Sequence, residues 1–362
     1  MVKREVRQDS YFPALDGLRG VMAMGVIVAH VNLAWFPGAP IMMDIFFVIS
    51  GFLITSILLR GIEKTGSVAL LSFWKRRLLR LYPALLVVVL SSLFVAWWCV
   101  DDITPVAKDA VASIFYYSNW TKIYDYVYPS MFGHTWSLSV EEQFYLLWPV
   151  LFSLALAARL RSVHILVLLA LLAVAAMLWR YYLISQEVPW SRLYYALETR
   201  MDAFVVGGIL ALGFGALRER AVRGEWHAFL SLCALALLLL VVLGRPREIA
   251  YFFWQQSLAL LLSAAVILLL TSPRDSFLKR LFCSRWCVFL GERCYSLYLW
   301  HWPIIWLLLV ETEATKITIL LIAIPLTLLL SSLTYAFVEA PFLSKMSRVR
   351  RIESDAALPS SR

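Results

Sequence analysis

The chain has 362 residues, of which 61% are hydrophobic and only 16% are charged. Soluble domains contain roughly 45–50% apolar and about 25% charged residues, so these polar side chains are too few to cover a water-exposed surface. A mean hydropathy of +0.76 and apolar runs of transmembrane length place the excess in lipid. The net charge of +9 comes from basic residues scattered between apolar segments, which argues against a nucleic-acid partner.

Ten segments are long and apolar enough to cross a bilayer, which predicts an all-α, polytopic membrane bundle of about ten transmembrane helices. The segments are approximately 18–36, 43–60, 81–100, 141–158, 163–184, 201–217, 227–244, 251–271, 288–310 and 316–338. Basic residues are dense in alternate connections and sparse in the others, and acidic residues collect in the long connection 101–140. By the positive-inside rule we expect cytoplasmic N- and C-termini.

The chain shows no linker that would separate two folded parts. We therefore expect a cytoplasmic N-terminal segment at 1–17, one transmembrane domain at 18–342, and a cytoplasmic, disordered tail at 343–362.

The first predicted span carries two ionisable residues, Arg19 and His30, eleven positions apart. In a helix this spacing puts them on nearly the same face, about 16 Å apart. Ionisable groups inside a membrane are costly and are functional candidates, and histidine suits general-base chemistry. A packed, hydrogen-bonded histidine is the alternative. Asp44, at the start of the second span, is a candidate to orient His30 or to bind the group on which His30 would act as a base. The alternative is a helix cap.

Arg77 and Arg80 precede the third span, three positions apart on one helical face. Guanidinium groups bind phosphate in bidentate fashion, so together with Arg19 they are candidates for the phosphates of coenzyme A. A basic cluster that only fixes membrane orientation is the alternative.

Glu141 and Glu142 lie at the predicted outer entrance of the fourth span, beside hydroxyl groups and tryptophan. Carboxylates and aromatic rings suit a carbohydrate site, although Ser139 and Glu142 also have the spacing of a capping box. Asp202 and His301 are further candidates for substrate binding. The alternatives are a helix cap or an intrahelical ion pair with Arg200 for Asp202, and a packing role for His301.

Several separated segments together resemble the membrane acyltransferase family 3, whose members acylate surface polysaccharides, peptidoglycan and small molecules. The segments lie in the family's order between about residues 12 and 342, and they are FPALDGLRGVMAMGVIVAHV, DIFFVISGFLITSILL, FWKRRLLRLYPALL, HTWSLSVEEQFYLLWPVLF, RMDAFVVGGILAL, LGERCYSLYLWHWPI and FVEAPF. Agreement of so many motifs in order is specific, unlike any single one of them.

The resemblance implies an O-acyltransferase with a ten-helix bundle that crosses a bacterial inner membrane. It implies acyl-CoA, by preference acetyl-CoA, as donor, with Arg19, Arg77 and Arg80 contacting it and no metal involved. His30 would be the catalytic residue, as base or as transient acyl carrier. The acceptor would be a hydroxyl of an extracytoplasmic glycan or glycolipid, such as a lipopolysaccharide O-antigen or an exopolysaccharide.

Many members of the family carry an additional extracytoplasmic esterase-like domain. This chain ends soon after its last predicted helix, so we expect an extracytoplasmic partner enzyme for any second transfer step. The alternative function, from a different class, is a transporter or flippase of a lipid-linked glycan, since intramembrane charges also suit a substrate pathway.

Overall fold

The computed structural model describes residues 11–124, 130–245 and 247–342, and all regular elements within these ranges are helical. The described residues form fifteen α-helices, which are α1 Pro13–Val31, α2 Ile41–Thr65, α3 Leu70–Cys99, α4 Thr104–Ile114, α5 Ser118–Tyr124, α6 Trp136–Ala157, α7 Ser162–Ser185, α8 Trp190–Tyr195, α9 Met201–Arg220, α10 Gly224–Leu243, α11 Gln256–Thr271, α12 Phe277–Phe282, α13 Arg285–Glu292, α14 Cys294–Glu311 and α15 Lys316–Thr334. Two 3-10 turns, Leu33–Trp35 and Gly133–Thr135, and two π-helical turns, Tyr251–Gln255 and Tyr335–Glu339, complete the helical elements.

Eight helices of the described ranges are long and apolar enough to cross a membrane. They are α1, α2, α3, α7, α9, α10, the segment Tyr251–Thr271 and the segment Lys316–Phe342, and they coincide with eight of the ten predicted spans. The other two predicted spans are occupied by α6 and α14, with 22 and 18 residues, which carry more polar side chains. The all-α membrane bundle is thus confirmed.

The count of ten spans and the cytoplasmic location of both termini stay predictions. The first helix begins at Pro13, five residues before the predicted start of the domain. The predicted tail 343–362 and most of the predicted N-terminal segment, residues 1–10, lie outside the described ranges.

Close backbone contact holds α2 against α9, because glycines face each other across the two helices. A Cβ on Gly51 would lie 2.0 Å from the carbonyl oxygen of Phe204, and one on Gly207 would lie 2.1 Å from that of Val48. Helix α1 packs against α13 in the same way, since a Cβ on Gly20 would lie 2.4 Å from the backbone nitrogen of Gly291. In a membrane, where lipid is as apolar as leucine, small residues of this kind permit tight helix packing.

The last part of the connection 101–140 does not stay on the surface of the bundle but enters it. Between α5 and α6 the backbone carbonyls of Ser130 and His134 accept hydrogen bonds from Trp302 and Tyr298, in the middle of α14. Residues 130–135 are all buried. Helix α6 therefore begins inside the bundle, where Trp136 packs against Phe47, six residues or about 9 Å into α2.

Candidate active site

Two predicted site residues, His30 at the end of α1 and His301 in the middle of α14, form a hydrogen-bonded pair. Nδ1 of His30 lies 2.8 Å from Nε2 of His301. The ring planes differ by 6° and the centroids are 5.0 Å apart, so the rings lie edge to edge rather than face to face. His301 is fully buried, whereas His30 is partly accessible. The pair is open only on the side of His30.

The hydrogen-bond network assigns the tautomers of both rings. Nδ1 of His301 lies 2.6 Å from the carbonyl oxygen of Tyr298, which can only accept, so this nitrogen carries a proton. A fully buried imidazole with no carboxylate partner is neutral, because an unpaired charge is costly in an apolar interior. Nε2 of His301 then accepts, Nδ1 of His30 donates, and Nε2 of His30 keeps a free lone pair.

Helix α1 runs without interruption from Pro13 to Val31, so Arg19 and His30 do share one face of one helix. Arg19 is paired with Asp16 at 3.6 Å. Arg80 of α3 is exposed, and among the described residues it has no hydrogen bond or ion pair. On α1, Arg19 and His30 are separated by about 16 Å along the helix axis, as the eleven-residue spacing predicts.

Arg77 of α3 is held by α6. Its Nε donates to Glu142 at 3.2 Å, and its guanidinium lies 3.2 Å from the ring centroid of Tyr145. Glu141 accepts a hydrogen bond from Ser50 of α2. The expectation that both glutamates line the outer surface is wrong, since α6 starts inside the bundle and carries them to the level of the arginines.

Asp44 does not orient His30. Its carboxylate is fully buried and accepts hydrogen bonds from Arg200, at 2.5 Å, and from the hydroxyl of Tyr251. Arg200 lies at the N-cap of α9, and its Nε also donates to the carbonyl of Tyr194. Asp44 therefore ties α2 to the N-cap of α9 and to the π-helical turn Tyr251–Gln255 that precedes α11, and the helix-cap alternative is wrong as well.

Asp202 is paired with Arg180 of α7, not with its neighbour Arg200. The distance is 2.8 Å, and both side chains are almost completely buried. Arg180 also donates to the backbone carbonyls of Thr199 and Phe252. Arg180 is not among the predicted site residues, although a charge inside the predicted span 163–184 is a signal by itself.

A chain of buried hydroxyl groups secures the segment that enters the bundle. Thr135 bonds to Ser113 at 2.7 Å and to Ser118 at 2.9 Å, and Ser118 bonds to Ser139 at 2.8 Å. Because α6 begins at Trp136, Ser139 lies within the helix rather than at its N-cap. The capping-box interpretation of Ser139 and Glu142 is therefore wrong.

The carboxylate of Asp109 in α4 holds the start of that segment. It accepts from the hydroxyl of Ser130 and from the backbone nitrogen of Phe132. Burial raises the pKa of Asp109, and the hydrogen bond from Ser130 and the charge of Lys122 oppose this rise. The entering segment is thereby anchored at both ends.

Comparison with known proteins assigns the chain to a family. The sequence profile described as "Acyltransferase domain" matches residues 12–336, nearly the whole chain. The chain belongs to the acyltransferase 3 family. It is 33% identical, over 94% of its length, to "Peptidoglycan O-acetyltransferase OatA" of Listeria monocytogenes, and 34% identical, over 92% of its length, to "O-acetyltransferase OatA" of Staphylococcus aureus. These matches cover 57% and 58% of the relatives, so the chain spans less than two thirds of their length.

No solved structure is significantly similar to the chain. In the ranges 11–124, 130–245 and 247–342, no group of three or more His, Cys, Asp or Glu side chains is arranged to hold a metal ion. That this acyltransferase 3 protein needs no metal stays a prediction.

The ion pair of Asp44 with Arg200 has a testable consequence. Substitution Asp44→Ala leaves the Arg200 charge buried without a partner, which costs about 3–5 kcal/mol. We expect a large drop in the melting temperature of the detergent-solubilised protein. The double variant Asp44→Ala with Arg200→Met removes that charge and recovers much of the loss.

Glu248→Ala is the matched control, because Glu248 forms an exposed pair with Arg245 that contributes about 0–1 kcal/mol. A melting temperature of Asp44→Ala equal to that of the wild type would contradict the structural role of Asp44.

Proposed function

We propose that this protein is a membrane O-acyltransferase that moves an acyl group, acetyl by preference, from cytoplasmic acyl-CoA to a hydroxyl of an extracytoplasmic glycan. Membership of the acyltransferase 3 family and the names of two relatives support the reaction class. The observation that carries the proposal is the pairing of His30 with His301, since it leaves a basic nitrogen on the partly accessible ring.

The proposed chemistry uses the free Nε2 of His30 as general base. The acceptor oxygen attacks the thioester carbonyl carbon while its proton passes to Nε2. The carbon–sulfur bond then breaks, and the leaving thiolate takes that proton back from the imidazole. Alternatively Nε2 attacks the carbonyl itself and carries the acyl group transiently. Both routes need Nε2 of His30 with a free lone pair. This nitrogen stays free because the hydrogen bond to His301 uses Nδ1 instead.

The donor is proposed to bind with its phosphates at Arg19, Arg77 and Arg80. The shared face of Arg19 and His30 supports this, because a long ligand that binds the arginine can place its reactive end at the imidazole. Arg77 is positioned by Glu142, and Arg80 is the least engaged of the three. Bidentate guanidinium–phosphate contacts provide the affinity.

The class of glycan that accepts the acyl group is proposed from the names of the relatives. One relative is named for peptidoglycan, which puts cell-wall glycan beside O-antigen and exopolysaccharide as acceptors to test. Glu141, Glu142 and Asp202 contact Ser50, Arg77 and Arg180, so we assign them to positioning rather than to sugar binding. We further propose that the protein works in the inner membrane, with an extracytoplasmic partner enzyme for any second transfer.

The catalytic assignment is tested by glycan analysis of a deletion strain complemented with the wild-type chain or with His30→Ala. Wild type restores the acyl mass increment, and His30→Ala loses it by at least about 100-fold, because a general base contributes roughly 10²–10⁴. His164→Ala, which changes an exposed histidine on α7, restores it fully.

Equal amounts of both variants in the membrane, shown by immunoblot, are the control for expression. Full restoration by His30→Ala would overturn the assignment. Movement of a lipid-linked glycan without any acyl increment would instead favour a transporter.

The donor site is tested by the binding of coenzyme A to the purified chain in lipid nanodiscs. Arg80→Ala weakens binding about tenfold or more, since a hydrogen bond to a charged group contributes about 1.5–3 kcal/mol. Its melting temperature stays that of the wild type, because no hydrogen bond or ion pair of the described residues is lost. Lys75→Ala, on another face of α3, leaves both quantities unchanged, and equal effects of the two substitutions argue against a specific site.

A further inference from the structure

His134 lies against the histidine pair but takes no part in it. Its ring centroid is 5.2 Å from that of His301, at a near-perpendicular angle of 80°, and 5.3 Å from that of Tyr298. The residue is 4% exposed. Both ring nitrogens are buried without a hydrogen-bond partner among the described residues. The carbonyls of Tyr298 and Leu299 lie beside the ring, outside hydrogen-bond geometry.

A buried polar group without a partner costs about 1–3 kcal/mol and is rare in folded proteins. A neutral imidazole offers one donor and one acceptor, so both functions of His134 are unused. Phenylalanine would fill the same space without this cost. The side chain is therefore explained better by a ligand than by packing.

The other polar rings that contact the histidine pair have already used their donors. Nε1 of Trp302 donates to the carbonyl of Ser130 at 2.7 Å. The hydroxyl of Tyr298 donates to the backbone carbonyl of His134 at 2.6 Å. This last contact also fixes the backbone of His134, so its ring is held in place next to His301 whether or not its nitrogens are bonded.

We propose that the ring N–H of His134 binds the carbonyl oxygen of the acyl thioester and stabilises the oxyanion that forms there. This rests on the proposed function and adds the group that stabilises the developing negative charge. When the acceptor oxygen attacks and His30 takes its proton, the carbonyl π electrons move onto oxygen, and the N–H of His134 faces that charge. When the carbon–sulfur bond breaks, the electrons return and the carbonyl is restored.

The location suits this role for two reasons. His30 supplies a lone pair, and His134, whose ring centroid lies 5.2 Å from that of His301, supplies a donor beside the same histidine pair. The site is also buried in the bundle, and in a low-dielectric, water-excluded site a preorganised donor stabilises developing charge much more strongly than in water.

Two variants separate this role from a structural one. His134→Phe keeps the ring packing and removes both nitrogens, so we expect an unchanged or higher melting temperature and a loss of glycan acylation of about 10²–10³-fold. His134→Gln keeps an N–H donor and retains more activity than His134→Phe. A fall of the melting temperature in His134→Phe, matching its loss of activity, would overturn the proposal.

Binding to the full chain in nanodiscs tests the contact itself. The probes are coenzyme A and S-acetonyl-coenzyme A, which has the carbonyl but cannot transfer an acyl group. We expect wild type to prefer the acetonyl compound about threefold to tenfold, the range of one net hydrogen bond, and His134→Phe to lose this preference. An unchanged preference in His134→Phe shows that the nitrogen does not bind the carbonyl. If wild type binds neither probe, the proposed function fails together with its donor.

Discussion

The hydrogen bond between Nδ1 of His30 and Nε2 of His301 is the contact on which the proposed chemistry depends. It joins α1 to α14, two helices whose residues here are 271 positions apart. Because Nδ1 of His301 donates to the carbonyl of Tyr298, this one backbone acceptor determines the tautomers of both rings. Both rings are thereby neutral, Nε2 of His30 keeps its lone pair, and within the described part of the chain no carboxylate forms a hydrogen bond to either ring.

The two buried ion pairs explain how a membrane protein keeps such a site in place. Asp44 with Arg200 and Asp202 with Arg180 connect α2, α7 and α9. Charges at this depth are tolerated when they are paired and hydrogen-bonded, and removing one partner is far more costly than the pair itself. We therefore assign these four charged residues to stabilising the packing of the helices rather than to the chemistry.

The sequence predicted the helices well because span length and apolarity are local properties of the chain. It also predicted that Arg19 and His30 share a face, since both lie on one uninterrupted helix. It could not identify the partner of His30, because that contact depends on how α1 packs against α14. It placed Glu142 on the outer surface, because no local pattern shows that residues 130–135 enter the bundle before α6 begins.

The most direct test of the account is the activity of two His301 variants in the purified full chain, reconstituted in liposomes with acetyl-CoA and glycan acceptor. His301→Gln keeps an oxygen that accepts from Nδ1 of His30, whereas His301→Phe keeps only the ring shape. We expect His301→Gln to lower kcat by about tenfold or less and His301→Phe to lower it by about 100-fold, with the KM for acetyl-CoA unchanged, as for a lost transition-state interaction. Equal activity of His301→Phe and wild type would contradict it.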